Sequence, residues 1–173
     1  VIIMCGIFGI TENNPKLINK IIKECYYRGP DNSNIFSSEY LTLGHNLLSI
    51  TSTPNEGEQP WKSSRENILI YNGEIFNYNE LLYRFKNSFI PKTTCDTELL
   101  SWLLDNFSYE EVVSNIIDSM HAFAFYNKKN RELVLSRDHV GIKPLFFSTN
   151  KFGLVFSSEI LPLLEVVNNS QKI

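Results

Sequence analysis

The chain has 173 residues, a formal net charge of −3, and 43% hydrophobic against 20% charged residues. That length suits one domain with a sizeable core, the charge gives no electrostatic ground for nucleic acid, and no apolar run approaches the ~20 residues of a membrane span. Three cysteines, Cys5, Cys25 and Cys95, are too few and too unevenly spaced for a disulfide framework or a zinc site, which fits a reducing, cytoplasmic compartment.

In chain order, residues 5–11 read as a strand. Asn13-Asn14-Pro15 forms a turn, with Pro15 at the first position of a helix over 15–26 whose apolar face carries Leu17, Ile18, Ile21, Ile22 and Cys25. Arg28-Gly29-Pro30-Asp31 breaks it. Extended stretches follow at 34–37 and 41–50, then a loop from Pro54 to Pro60 and a strand over 67–72 that stops at Asn72-Gly73. Helices are expected over 77–85, from about Asp96 to Phe107, and over 109–117. From 121 the period changes to two, giving a hairpin of 122–126 with 132–136, two further strands near 145–148 and 154–157, and a closing helix over 158–166. An α+β fold of two antiparallel sheets with helices outside covers every apolar face.

The chemistry starts at Met4-Cys5-Gly6. If Met4 is the start and is removed, Cys5 carries a thiol and a free α-amine. Their unperturbed pKa values, roughly 8.5 and about 7.7–8.0, let the amine take the thiol proton near neutral pH. As written, that amine lies in a peptide bond, so Val1 to Met4 are treated as upstream residues or a leader outside the mature fold. Read alone, Cys5 would also suit the start of a buried strand.

Further segments occur in order: Arg28-Gly29-Pro30-Asp31, Gly44-His45 with Leu48-Ser49-Ile50, Tyr71-Asn72-Gly73-Glu74-Ile75-Phe76-Asn77, Asp96, and Arg137-Asp138-His139-Val140-Gly141-Ile142-Lys143-Pro144-Leu145. With the Cys5 segment they resemble the class II, N-terminal-nucleophile glutamine amidotransferase domain of asparagine synthetase over about 4–165. The resemblance implies a four-layer α/β/β/α sandwich and hydrolysis of the glutamine side-chain amide to glutamate and ammonia. Cys5 is then nucleophile and base, and Asn72 and Gly73 are oxyanion donors. Glu74 and Asp96 hold the substrate's α-ammonium, with Ser49 and Ile50 also lining the substrate site. Asp96 is equally suited to cap a helix, and Asn72-Gly73 to a plain turn. Arg28 to Asp31 and Arg137 to Leu145 read as structural, as do His45, His121 and His139, and no metal is expected.

The chain departs from the family at two positions. Many relatives have a histidine where this chain has Tyr27. At Leu47 the family carries an arginine that grips the substrate α-carboxylate. Losing a charged hydrogen bond of roughly 1.5–3 kcal/mol predicts about 10- to 100-fold weaker glutamine binding. A degenerate domain kept for partner contact, or a substrate amide without an α-carboxylate, would also accommodate Leu47.

No Ser-Gly-Gly pyrophosphate loop or Walker loop occurs in the sequence. The expected organisation is an amidotransferase domain over 5–167 and a tail, 168–173, leading to a synthetase domain. That partner, in cis or trans, would use ATP and Mg, whereas this domain needs no cofactor. A homodimer is compatible with the resemblance.

Overall fold

The computed structural model describes residues 4–49, 55–150 and 153–169. Nine strands form two antiparallel sheets among these residues. In chain order the elements are β1 (Gly6–Ile10), α1 (Pro15–Glu24), a 3₁₀ turn (Tyr26–Arg28), β2 (Asn32–Ser37), β3 (Thr42–Leu47), β4 (Trp61–Lys62) and β5 (Ile68–Ile75). They continue with α2 (Tyr78–Phe85), α3 (Asp96–Asn106), α4 (Tyr109–Glu111), a π-helical turn (Val112–Ile116), β6 (Ser119–Asn127), β7 (Glu132–Arg137), β8 (Phe146–Asn150), β9 (Gly153–Ser157) and α5 (Ile160–Asn169).

One sheet has the order β2-β3-β1-β9-β8 and the other β4-β5-β6-β7. Alternation along the strands decides what fills each layer. In β1, Ile7 faces the space between the sheets while Phe8 and Ile10 face α1 and α5. In β5, Ile68 and Ile70 face inward and Leu69, Tyr71 and Ile75 face α2 and α3. Ala122 and Ala124 of β6 lie in the same inner layer as Phe156 and Leu43. Three apolar layers therefore separate helix, sheet, sheet and helix, which is the expected four-layer sandwich.

Local chemistry sets the helix starts. The Asn14 side chain accepts the Leu17 N–H at 3.1 Å, and Pro15 occupies the first turn, where no N–H is needed. Gly44 lets α1 lie close on β3, because a Cβ there would meet Ile18 at 2.4 Å and Ile22 at 2.8 Å. Ahead of α3, the Glu98 carboxylate reaches back to the backbone N–H groups of Lys92 and Thr93 and to the Thr93 hydroxyl, fixing the segment that presents Cys95 and Asp96.

Several expectations are corrected. The strand expected to stop at Asn72-Gly73 runs on to Ile75, because β6 supplies partners as far as Ser119 and pairs Gly73 with His121. Asn72, Gly73 and Glu74 are thus strand residues rather than parts of a loop. The first helix ends at Glu24 and tightens into the 3₁₀ turn. The segment expected as a helix over 109–117 has one α turn and then widens into the π turn that buries Val112 and Ile116. The closing helix starts at Ile160 and runs to Asn169, into the expected tail. Residues 1–3, Ile50, the start of the loop at Pro54 and residues 170–173 lie outside the described residues. Among the described residues, no helix is long and apolar enough to cross a membrane.

Candidate active site

A cavity of about 400 Å³ opens where the start of β1, the end of β3, the C-terminal half of β5 and the start of α3 meet. It falls in the size range of small-molecule sites. Met4, Cys5, Leu47, Leu48 and Ser49 line one side. Gln59, Tyr71 to Phe76, Cys95 to Thr97, Met120 and Lys143 are among the other lining residues.

Cys5 is half-buried, just ahead of β1. The Leu48 N–H points to its sulfur at 3.3 Å, and the thiol lies 3.6 Å from the Leu48 carbonyl. Burial pushes the thiol up from its ordinary value, while the Leu48 N–H and the Lys143 charge pull it down and Cys95 pushes it up. Arg28, 5% exposed, donates through Nε and Nη2 to the Cys5 carbonyl at 3.1 and 3.0 Å and pairs through Nη1 with Glu159. Asp31 accepts the Ser49 N–H at 2.7 Å. The Arg28–Asp31 segment therefore fixes both the Cys5 backbone and the Leu48-Ser49 wall, which makes the structural role expected of it specific to this cavity.

The oxyanion candidates follow from the geometry of β5. Phe76 N–H bonds to Asp118 of the strand pair at 2.7 Å, so alternate residues Glu74 and Asn72 also turn their backbone toward β6. Tyr71, Gly73 and Ile75 turn theirs the other way, beyond the short β4. There Tyr71 N–H is taken by Gln59 Oε1 at 2.6 Å and Ile75 N–H by Asp96 Oδ2 at 3.1 Å. The Gly73 N–H lies between them and faces the same open edge. Asn72 shares the inward face of Ile68 and Ile70, and its amide donates to Met4 Sδ at 3.8 Å. A Cβ on Gly73 would meet the Met120 carbonyl and the Tyr71 ring, each at 2.5 Å.

Asp96 is not the helix cap, which is Cys95. Its Oδ2 instead accepts from Ile75 N–H and Tyr71 OH, both at 3.1 Å. Burial raises its carboxyl above the usual range, these two donors lower it, and Glu74 raises it again. Glu74 is exposed on the cavity wall. The Ser49 hydroxyl is buried without a hydrogen-bond partner among the described residues. Ile50 lies outside the described residues.

Leu47 is 5% exposed and lines the cavity. Leu43, His45 and Leu47 share the inward face of β3, whereas Asn46 points outward and donates to Ile22 and Cys25 at the end of α1. Asn46 therefore cannot stand in for a cation at 47.

Two of the three histidines make structural contacts. His45 is fully buried against the Tyr71 carbonyl, and burial pushes it down to about 4. His121 sits between Ser119 and Ser136, and His139 is exposed. Cys25 packs under α1, where burial pushes its thiol up to about 11. Among the described residues, no group of three or more His, Cys, Asp or Glu is placed to hold a metal ion.

Gln59 and Lys143 escaped the sequence reading. Gln59 uses its carboxamide as a substitute strand, with Oε1 on Tyr71 N–H and Nε2 on the Tyr71 carbonyl at 3.2 Å and Thr97 at 3.3 Å. No sequence signal marks that role. Lys143 belongs to the Arg137 to Leu145 segment, which by sequence reads as structural.

The family model described as glutamine amidotransferase domain matches residues 4–173. An asparagine synthetase [glutamine-hydrolyzing] 1 of Bacillus subtilis (strain 168) is 31% identical over 175 residues, covering 96% of this chain and 27% of its own length. Asparagine synthetase B [glutamine-hydrolyzing] of Escherichia coli (strain K12) is 30% identical, covering 94% and 30%. Among solved structures, glutamine phosphoribosylpyrophosphate amidotransferase from B. subtilis, complexed with ADP and GMP, superimposes with a TM-score of 0.74 at 21% identity, over 92% of this chain and 43% of that one. The chain thus spans less than a third of the length of these two curated relatives.

Proposed function

The chain belongs to the glutamine amidotransferase domain family, and on that footing we propose that it hydrolyses the side-chain amide of glutamine, supplying ammonia to an asparagine-forming synthetase domain. The carrying observation is the Cys5 thiol in one cavity with the Asn72 amide and the outward-turned Gly73 N–H.

In a chain beginning at Cys5, the α-amine takes the thiol proton as sulfur attacks the carboxamide carbon. Asn72 Nδ2 and the Gly73 N–H hold the oxyanion. The C–N bond breaks as the α-ammonium returns that proton to the leaving nitrogen, so ammonia departs and a thioester remains. The α-amine then deprotonates water, which attacks the thioester and releases glutamate. Asp96 and Glu74 receive the substrate's α-ammonium, and the Ser49 hydroxyl, without a partner among the described residues, offers a further polar contact. No step needs a cofactor in this domain; ATP and Mg belong to the synthetase partner, in cis or trans.

The test is an intact-mass spectrum before and after an electrophilic glutamine analogue. A single adduct mapped to Cys5, together with ammonia release that is lost in Cys5→Ala, supports the reading. Full glutaminase activity in Cys5→Ala overturns it. Leu47 favours a second reading, a domain that keeps the fold and contacts a partner without turnover; a free Cys5 terminus that forms no adduct would support that one.

A further inference from the structure

The 138–143 loop is held by its first residue. The Asp138 carboxylate accepts the backbone N–H groups of Ile142 at 2.9 Å, Lys143 at 3.1 Å and His121 at 3.2 Å, and the Asp138 N–H donates to the His121 carbonyl at 2.8 Å. Gly141, with φ +74°, turns the chain back on itself. Because His121 pairs with Gly73, these bonds tie the loop to the strand carrying the oxyanion candidates. The result is a lysine side chain on the wall of the Cys5 cavity.

Lys143 is the one Lys or Arg lining that cavity among the described residues. No ion pair among them engages its ammonium. The other cation at Cys5, Arg28, is committed to the Cys5 carbonyl and to Glu159. The remaining titratable groups around the thiol are Cys95 and Asp96 at the start of α3, and Tyr71 and Glu74 on β5, with Tyr78 on α2. Asp31 already accepts from Ser49. The Lys143 charge acts on the thiol, whereas the influences on Asp96 come from burial, Ile75, Tyr71 and Glu74.

We propose that Lys143 is a positioning residue whose ammonium stabilises the negative charge on Cys5 Sγ. It neither gives nor takes a proton: the thiol proton goes to the α-amine, and Lys143 stays charged throughout. The proposal rests on the reading of Cys5 as nucleophile. A cation lining the cavity that holds a half-buried sulfur acts through a medium less polarisable than water, so removing it should shift the thiol's midpoint upward.

The test measures Cys5 alkylation by iodoacetamide against pH in the full chain, with the adduct mapped to separate Cys5 from Cys25 and Cys95. It is paired with glutamine kinetics in a chain beginning at Cys5. Lys143→Met should move the alkylation midpoint upward and slow alkylation at pH 7 about 3- to 10-fold. It should lower kcat to a similar degree and leave KM unchanged, with Lys143→Arg restoring both. An unmoved midpoint in Lys143→Met overturns the proposal, as does a raised KM with midpoint and kcat intact, which would make Lys143 a substrate anchor. If no chain hydrolyses glutamine and the midpoint still moves, the electrostatic role stands and the glutaminase reading fails.

Discussion

The Asn72 carboxamide donates to the sulfur of Met4 at 3.8 Å. The residue that blocks the Cys5 amine by its peptide bond therefore also engages one of the two proposed oxyanion donors. In the proposed mechanism, removing Met4 frees a base and a donor in a single cut. A chain beginning at Cys5 should release ammonia from glutamine at least about 10²-fold faster than a chain retaining Met4, since either loss alone costs that much. Ammonia release on two preparations, each with its first residue confirmed by mass, checks this.

Gly73→Ala should lower kcat about 10²- to 10³-fold with little change in KM, because the added Cβ collides with the Met120 carbonyl and the Tyr71 ring and displaces the backbone donor. Asn72→Ala should do the same by deletion. Steady-state kinetics decides it: a change confined to KM would mean that these groups bind the ground state only.

Asp96 carries a carboxyl raised by burial, yet it would have to be ionised to hold an ammonium. Glutamine binding should then release protons at mildly acidic pH, and KM should climb as pH falls, starting above the ordinary carboxylate range. Calorimetry in two buffers of different ionisation enthalpy measures the protons released. Asp96→Asn should raise KM about 10- to 100-fold and abolish the release.

Leu47 is an inward-facing residue lining a cavity whose one Lys or Arg among the described residues is Lys143. Leu47→Arg should lower the glutamine KM about 10- to 100-fold while leaving kcat in place. An unchanged KM in a folded variant would mean that no carboxylate sits against β3, and would turn attention to amides lacking one.

His45 gives a stability test independent of catalysis. Its folded value is near 4 against an unfolded value near 6.5, so between those limits the unfolded chain binds the extra proton and stability falls as pH falls. From pH 7 to pH 5 the loss should be about 2 kcal/mol. Urea unfolding at the two values should show that His45→Gln lacks this part of the acid sensitivity.

The sequence already carried the layers, because alternation in β1, β5, β6 and β9 and the capped start of α1 are local properties. What escaped it was made by partners distant along the chain. Asn72-Gly73 reads as a turn by its own chemistry, and only the length of β6 draws the strand through it. Asp96 sits where a cap would be expected, but the open edge of β5 offers it Ile75 and Tyr71 instead. Gln59 as a stand-in strand and Arg28 on the Cys5 carbonyl depend on contacts spanning 12 and 23 positions, and Lys143 reaches the cavity wall only through the fold, which no local pattern reports.

β1 lies between β3 and β9, and Ser158 closes on Ile7 from 151 positions away. The first strand of the domain cannot be enclosed until the ninth has been synthesised, so the active site matures late. During most of translation the start of the chain has neither its full set of neighbours nor the Arg28–Glu159 clasp. A cleavage ahead of Cys5 would therefore meet an unpacked segment before β9 is in place and a half-buried one afterwards.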